Sequence, residues 1–364
     1  MALQHLELSV KGGTTGYGFD LATPLCDFAR LRTGFTYVPR IEVPMSFGIQ
    51  VGNDASKSKS KFETMRGFLE KSFLGWQEGD PHIIDSEIDM IGRPHKFWNW
   101  NVMVDFFPLK NNKHWHITAG FSLGPAHIAE AYNTTEDMQS LLAVKMYNSM
   151  YSKLINDQIE AFPELLYEAK LIDLSALGIN ASTTPEELEL IQRKLRNNGR
   201  MGMHVGNYAH DVYYQEDVVV QLTVPKVDSR DKPVLDENGN QVMEVVDEKV
   251  LHKKGDIMHH KGDPYFLEPD KNGMAKASMK VNRFKPYLGL GYEGRLAKND
   301  DRWKIGFDAG VLFWGGVPEV RTHDGIDLTS DVENINGKVG DYVDVVKKFK
   351  VYPVLNLRLT YKLF

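Results

Sequence analysis

The stretch that most restricts this chain is its end: Val351-Tyr352-Pro353-Val354-Leu355-Asn356-Leu357-Arg358-Leu359-Thr360-Tyr361-Lys362-Leu363-Phe364. Val351, Leu355, Leu357, Leu359, Tyr361 and Leu363 share one face of an extended chain, and Asn356, Arg358, Thr360 and Lys362 share the other. A period of two means a strand with one apolar and one polar face. In a soluble sheet the apolar face packs on a core. In a transmembrane barrel it meets lipid, and the polar face lines the lumen. How often the pattern recurs, and how the recurrences are joined, decides between them.

Taken in order, the first segment alternates Leu6, Leu8 and Val10 with Glu7, Ser9 and Lys11. After Gly12-Gly13-Thr14-Thr15-Gly16 the phase slips, and Tyr17, Phe19 and Leu21 become the apolar set. A glycine bulge inside one long strand explains such a slip. A phosphate loop does not fit, because no Lys-Ser/Thr pair follows. Further strands are expected at Ala29–Tyr37, at Ile41–Val51 after a tight Val38-Pro39-Arg40 turn, and at Trp98–Phe107. Others are expected at His114–Leu123, Phe284–Glu293, Trp303–Phe313 and Val351–Phe364. The expected fold is all-β: an eight-stranded antiparallel up-and-down transmembrane β-barrel with a large α+β extracellular loop insertion. Residues 1–124 and 284–364 form the expected barrel, and 125–283 the insert between strands 5 and 6.

The connections favour a membrane barrel over a soluble one. Short turns join the second strand to the third, the fourth to the fifth and the sixth to the seventh, while long segments follow the third, fifth and seventh. Outer-membrane barrels sort short and long loops by side in this way. A soluble lipocalin-like barrel leaves that sorting unexplained. The polar faces then place Arg30, Arg32, Glu42, Asp105, Lys285, Lys304, Asp308 and Arg358 inward as a lumen charge network, since buried charges require partners. Trp98, Trp100, Trp115, Tyr292, Trp303 and Tyr361 point outward as membrane-interface aromatics.

Between the barrel segments the pattern changes. Phe62–Trp76 has helix-like spacing within a long loop, and Thr135–Ala161 follows the 3.6 period. Thr184-Pro185-Glu186-Glu187 opens another helix that Asn197-Asn198-Gly199 closes. Val218–Val224 and Val242–Val250 read as a hairpin around Asp236–Asn240, a turn that lacks the full ligand set of a calcium loop.

Composition excludes several classes. No run of about 20 apolar residues is present, so no helical membrane span is expected. The net charge of -6 argues against nucleic-acid binding. Cys26 is the single cysteine, so neither an intrachain disulfide nor a cysteine zinc site is expected. Met1–Gln4 has neither the basic start nor the apolar run of a secretory signal.

Phe284-Lys285-Pro286-Tyr287-Leu288-Gly289-Leu290-Gly291-Tyr292, then Gly306-Phe307-Asp308-Ala309-Gly310-Val311-Leu312-Phe313 and the closing Leu-Thr-Tyr strand, resemble small outer-membrane β-barrels of the OmpA/OmpW-like kind. Gly13-Thr14-Thr15-Gly16-Tyr17-Gly18-Phe19-Asp20-Leu21 and Arg30-Leu31-Arg32-Thr33-Gly34-Phe35 look like a variety common in Bacteroidetes. Such barrels usually end on an aromatic in phase with the lipid face, whereas Phe364 here is one residue off.

The expected function is non-enzymatic: an outer-membrane anchor presenting an extracellular domain for binding or for assembly with other outer-membrane proteins. The expected location is the outer membrane, with long loops outside and termini periplasmic. No cofactor and no metal are expected, and lipid is the expected surrounding. His204, His210, His252, His259 and His260 cluster in the insert without the spacing of a metal site, and no Gly-x-Ser-x-Gly nucleophile motif occurs. Two alternatives remain: a small hydrophobic-solute conduit lined by Leu312, Met103 and Phe107, and a lipid-modifying barrel enzyme. His114 and His116 fit the enzyme poorly, because they face inward at the end away from the long loops.

Overall fold

The structure, a computed structural model, describes all residues except 1–4, 53–54, 110–111, 154–183, 227, 229–231, 237–241, 298–299, 336, 349 and 364. The first half of the chain forms β1 (Glu7–Gly13), β2 (Gly16–Cys26), β3 (Ala29–Val38), β4 (Val43–Val51), α1 (Ala55–Phe73), β5 (Glu87–Pro94), β6 (Phe97–Phe106), β7 (Trp115–Leu123), β8 (His127–Asn133) and α2 (Met138–Lys153). Then come α3 (Pro185–Gly199), β9 (Met201–Tyr208), β10 (Val212–Tyr213), β11 (Val218–Pro225), β12 (Met243–His252), β13 (Ile257–His259), β14 (Pro264–Leu267) and β15 (Lys276–Lys280). Last are β16 (Phe284–Ala297), β17 (Asp300–Leu312), β18 (Glu319–Thr322), β19 (Val332–Glu333), α4 (Gly337–Lys348) and β20 (Tyr352–Lys362).

Eight strands close into an antiparallel barrel in the order β1-β2-β3-β6-β7-β16-β17-β20. The closing strand pairs with the first, Val10 opposite Leu359 and Lys11 opposite Arg358. Its alternation is inside-out relative to a soluble barrel: Leu357 is 66% exposed and its neighbour Arg358 only 1%. The same division runs round the wall. Leu8, Val10, Phe19, Leu21, Phe35, Ile117, Leu288, Leu290 and Ile305 are exposed, while Ser9, Asp20, Asn101, Thr118 and Thr360 are buried.

Two expected strands are corrected. The segment from Leu6 to Leu21 is not one bulged strand but the β1–β2 hairpin, with Gly13 opposite Gly16. Gly16 has φ +90°, the left-handed position that closes such a turn, and a Cβ there would lie 2.1 Å from the Tyr37 carbonyl oxygen. A hairpin shifts the phase as a bulge does. Conversely, Ile41–Val51 is not a barrel strand. Its ordered part, β4, pairs with β5 and β9 in a second sheet, and Val38–Arg40 leads out of the barrel rather than turning back within it. The two corrections cancel in the strand count.

That second sheet has the order β14-β9-β4-β5-β8-β15-β18, with β19 beside β9. Its strands come from three separate links between barrel strands, not from 125–283 alone. Their order is informative. Barrel neighbours β3-β6-β7-β16-β17 are joined directly along the chain to sheet neighbours β4-β5-β8-β15-β18, each in the same place. The second sheet therefore prolongs the barrel wall.

The ladder between β7 and β16 continues across the joint. Gly124 N–H donates to the Arg283 carbonyl at 3.1 Å, and Val281 N–H to the Ala126 carbonyl at 2.9 Å. On one side the period-two row runs Ala277, Met279, Val281, Arg283, Lys285, Tyr287, with Arg283 exposed at the joint. On the other, a register shift between Met279 and Lys280 inserts Ile128. This extra residue brings Ala129 and Ala131 onto the face that Ser122 occupies below. The inner surface of the barrel and that of the second sheet are thus one surface.

Above the barrel the wall curls into a cup. Edge strands β14 and β18 are tied by the Tyr265 hydroxyl, 3.0 Å from the Thr322 hydroxyl and 3.0 Å from the Asp324 carboxylate. α1 and α2 seal one end, with Phe62, Leu69, Leu141 and Val144 packed in a core with Ile49, Val51, Met201 and Met203. α3 begins on a capping box between Thr184 and Glu187, as its sequence requires. The described parts of β11 and β12 pair as expected. The turn at 237–241, the residues after Lys153 in the expected Thr135–Ala161 helix, and Phe364 lie outside the described residues.

Replacing Tyr265 with Phe removes the tie between the cup's edges. It is expected to destabilise the cup by about 1–2 kcal/mol, the worth of hydrogen bonds to a partly charged partner. Hydrogen exchange in β14 and β18 should speed up while exchange in the barrel strands does not change.

Candidate functional site

The barrel interior is an ion-pair lattice. Asp105, on β6, is fully buried and sits between two guanidinium groups, 2.9 Å from Arg30 and 2.9 Å from Arg32. Thr118 donates to the same carboxylate at 2.8 Å. Arg30 also reaches Glu7 at 2.8 Å and Glu293 at 3.0 Å. Arg32 reaches Asp308 at 3.1 Å. Lys304 bridges Glu7 and Glu293 at 2.5 and 3.3 Å. Lys11 pairs with Asp20 at 2.7 Å. Arg358 lies 3.1 Å from Glu293 and 3.7 Å from Asp308, held by charge rather than by aligned hydrogen bonds. Five cationic and five carboxylate side chains thus meet inside the wall. Matched charge is what allows so many ions to leave water together.

Six of the eight residues expected in the lumen network are in it. Glu42 is not: it lies before β4, outside the barrel, with a side chain 53% exposed and paired to Arg40 at 3.2 Å. It was expected inside because Ile41–Val51 was expected in the wall. Lys285 faces inward but stands above the lattice, its Nζ 3.5 Å from the Pro125 carbonyl. Glu7, Lys11, Asp20, Glu293 and His116 complete the network. All five share the inward period of their strands, so the signal was present in the sequence. His116 lies 3.2 Å from Asp308, and His114 contacts the Glu293 carbonyl at 2.7 Å.

Above the charges the mouth is filled by Tyr287, Leu312 and Val354, with Met103 and Tyr352 against them. The void left beneath measures about 30 Å³, room for one or two waters. Phe107 does not join this apolar group. It sits at the opposite end under Arg30, ring centroid 5.4 Å from the guanidinium carbon.

Outward aromatics fall into two bands. Near the termini, Trp115 packs on Tyr292 at 5.1 Å and Trp303 on Tyr361 at 4.8 Å. Toward the cup, Trp98 packs on Tyr37 at 5.0 Å, and Trp100 donates to the Thr33 hydroxyl at 2.9 Å. On adjacent strands Ile117 faces Phe106, so the Trp98 and Trp115 levels are about ten residues apart. At about 3.3 Å per residue and a tilt near 40°, that is a band roughly 25 Å tall.

The second feature is the inside of the cup. There the inner wall bears small side chains: Gly92 on β5, Ala129 and Ala131 on β8, Ala277 on β15. Met45 and Phe47 on β4, Val320 on β18, and Val339, Val343 and Val346 on α4 (Gly337–Lys348) face the space this leaves. The cavity measures about 290 Å³.

The insert histidines do not converge. His204 packs at a tilt on Phe266, His252 stacks on Tyr214 and His259 on Tyr208, while His210 approaches Asp331. Among the described residues no group of three metal-ligating side chains forms. Burial, aided by Arg200, pushes the His259 imidazole down to about 4. Burial also works to raise the Glu70 carboxyl. Hydrogen bonds from the Ile84 backbone, His82 and the Ile83 backbone outweigh it and hold Glu70 below its ordinary value.

No protein-family model matches the chain, and no curated protein matches it. Among solved structures it is similar to CarO2 of Acinetobacter baumannii, at 12% identity and a TM-score of 0.33, with 98% of each chain covered. It is also similar to CarO of the same organism, at 10% identity and a TM-score of 0.35, with 99% of each covered. At this identity and superposition the likeness carries nothing about chemistry.

Two outcomes are expected. Asp105→Ala removes the carboxylate that the two guanidinium groups share, leaving Arg30 to Glu7 and Glu293 and Arg32 to Asp308, and costs about 3–5 kcal/mol, whereas Thr118→Val removes one hydrogen bond to the same carboxylate and costs about 1 kcal/mol. Heat-dependent migration of the folded barrel on gels ranks them. The second concerns acid. The unfolded chain protonates His259 near 6.5, while the folded cup resists protonation until about 4. Its contribution to stability is complete above 6.5 and declines as the pH falls toward 4. Wild-type cup unfolding should therefore be easier at pH 4.5 than at 7, and His259→Phe should flatten that dependence.

Proposed function

We propose that the chain is a non-enzymatic outer-membrane protein whose barrel serves as an anchor and whose cup is a surface-exposed binding domain. The observation that carries this is the inversion of the barrel: an apolar outer band bounded by two aromatic rows, around a lumen filled by paired charge. Apolar area of that extent on a monomer is a lipid or partner interface, and two aromatic rows about a bilayer apart are what lipid headgroup regions favour. The role of Trp98, Trp100, Trp115, Tyr292, Trp303 and Tyr361 as interface anchors belongs to this proposal, as does that of the lumen lattice as a plug.

The side of the membrane follows from the same logic. Both termini and the short connections after β2, β6 and β16 lie at one end, and the cup lies at the other. In outer-membrane barrels the bulky connections face outward. A conduit is disfavoured because, among the described residues, the lattice and the Tyr287–Leu312–Val354 group fill the axis. Assembly of the cup with other outer-membrane proteins is compatible with this anchor and concerns surfaces outside the cavity.

The test has two parts. Reconstituted in planar bilayers, the full chain should insert and show no resolved conductance steps. Protease added to intact expressing cells should cut within 39–96, 124–283 or 313–351 and spare an epitope at the C-terminus. Steady ion conductance contradicts the plugged anchor, and loss of the C-terminal epitope with an intact cup contradicts the orientation.

A further inference from the structure

The cup cavity is the part of the inner surface that the anchor does not use. It rests on the wall above the barrel: Val43, Pro94, Ala129, Met279 and Val320 lie between three and eight residues from a barrel strand end. Its inner wall is kept open by side-chain size. Gly92, Ala131, Ala277 and Thr322 pair across four adjacent strands in one row, where larger residues would have met and filled the space. At Gly92 even a methyl group would press on the Met45 Cε at 2.8 Å. Charged residues of the same strands alternate to the outside, where Arg93 pairs with Glu130 at 2.5 Å and stacks over Tyr132. The inside is left mostly to methyl and methylene groups, with the Thr322 hydroxyl taken up by Tyr265 and Asp324.

From this we infer that the cup holds a single aliphatic chain, an inference that rests on the anchor reading because it places the cavity beside lipid. Three observations fix the class. The polar side chains that border the cavity are engaged with one another or with the sheet, Arg93 with Glu130, Thr322 with Tyr265 and Asp324, and Ser278 with the Arg321 carbonyl, so the remaining lining favours a hydrocarbon occupant. The volume of about 290 Å³ is about twice the ~150 Å³ that takes up one benzene ring, which corresponds to about ten to twelve carbons. That suits one tail of a single-chain amphiphile and is too small for a two-chain phospholipid. Finally, the cavity adjoins the rim where the lipid-facing rows of β3, β6 and β16 end, which the anchor reading places at the bilayer surface. Helix α4, with Val339, Val343 and Val346 toward the cavity, closes the cup on the β20 side.

The experiment uses the full chain in lipid nanodiscs and dodecanol carrying a diazirine at mid-chain. After illumination, peptides are mapped by mass spectrometry. Label is expected on the segments 127–133, 276–280 and 337–348, competed by excess plain dodecanol. Ala131→Phe and, as a milder filling, Ala277→Leu should each lower that label at least tenfold. Arg321→Gln, on the outer face beside Thr322, should leave it unchanged. Label confined to the outward barrel strands in the wild type, or equal cup label in both filling variants, overturns the proposal. Cup label that emerges only after a co-purified protein is stripped away also overturns it, in favour of a polypeptide occupant. Because barrel insertion is followed separately, by heat-dependent migration of the same samples, an unlabelled cup on an inserted barrel refutes the ligand and spares the anchor. A chain that does not insert refutes the anchor.

Discussion

Everything in this molecule depends on the pairing of Asp105 with Arg30 and Arg32 at the centre of a closed sheet. A barrel of eight strands has no room for a hydrophobic core if its apolar side chains face outward, since its interior is just wide enough for side chains to fill. Something polar must occupy the axis, and each ion needs an opposite charge, because an ion without a partner there costs several kcal/mol. The lattice from Lys11 and Asp20 through Arg32 and Asp308 to Glu7 and Lys304 meets that demand, with Arg358 held by the charges of Glu293 and Asp308 alone. It fixes register as well. Sliding any strand by one residue would carry its charges to the outside and its leucines to the axis.

A rigid, filled barrel then determines what can be built on it. Five of its strands continue past the rim in their barrel order, so the upper sheet inherits its strand order and its inner face. What changes at the rim is chemistry. Below it the inner face carries Ser122, Lys285 and Tyr287. Above it the face carries Ala129, Ala131, Ala277 and Met279. The bulge at Ile128 is the device that lets one strand change register across the joint without turning its face around. The cup is thus a widened prolongation of the barrel wall rather than a separate domain placed on a loop.

Much of this was legible in the sequence, and the parts that were not have physical reasons. Period-two alternation identified the polar and apolar faces of β3, β6, β7, β16, β17 and β20, because each side chain has only one alternative environment. It failed at Gly12–Gly16, since a hairpin and a bulge both shift the phase. It failed again at Ile41–Val51, because an amphipathic strand packing on the cup's core reads like one facing lipid. Glu42 was misplaced as a consequence. Strands β5, β8, β15 and β18 went unseen. They are short, and Gly92, Ala129, Ala131 and Ala277 interrupt the large apolar residues of their inner face, Ile88, Met90, Met279 and Val320, so no long alternation makes them visible. That feature is also what opens the cavity. Glu7, Asp20 and Glu293 carried the inward signal, but which charges meet across the lumen depends on closure, and closure is not written in any one strand.

The central claim is that the outward face of the barrel meets lipid while the cup meets water. Spin labels at Leu355, Leu357 and, on the cup helix, Tyr342, each introduced as a single cysteine in a Cys26→Ser background, test it directly. In reconstituted vesicles, collision with oxygen and with a water-soluble nickel chelate is measured at each site. Labels at Leu355 and Leu357 should collide readily with oxygen and rarely with nickel, and the label at Tyr342 should show the reverse. Equal access of the nickel chelate to all three sites would contradict the account.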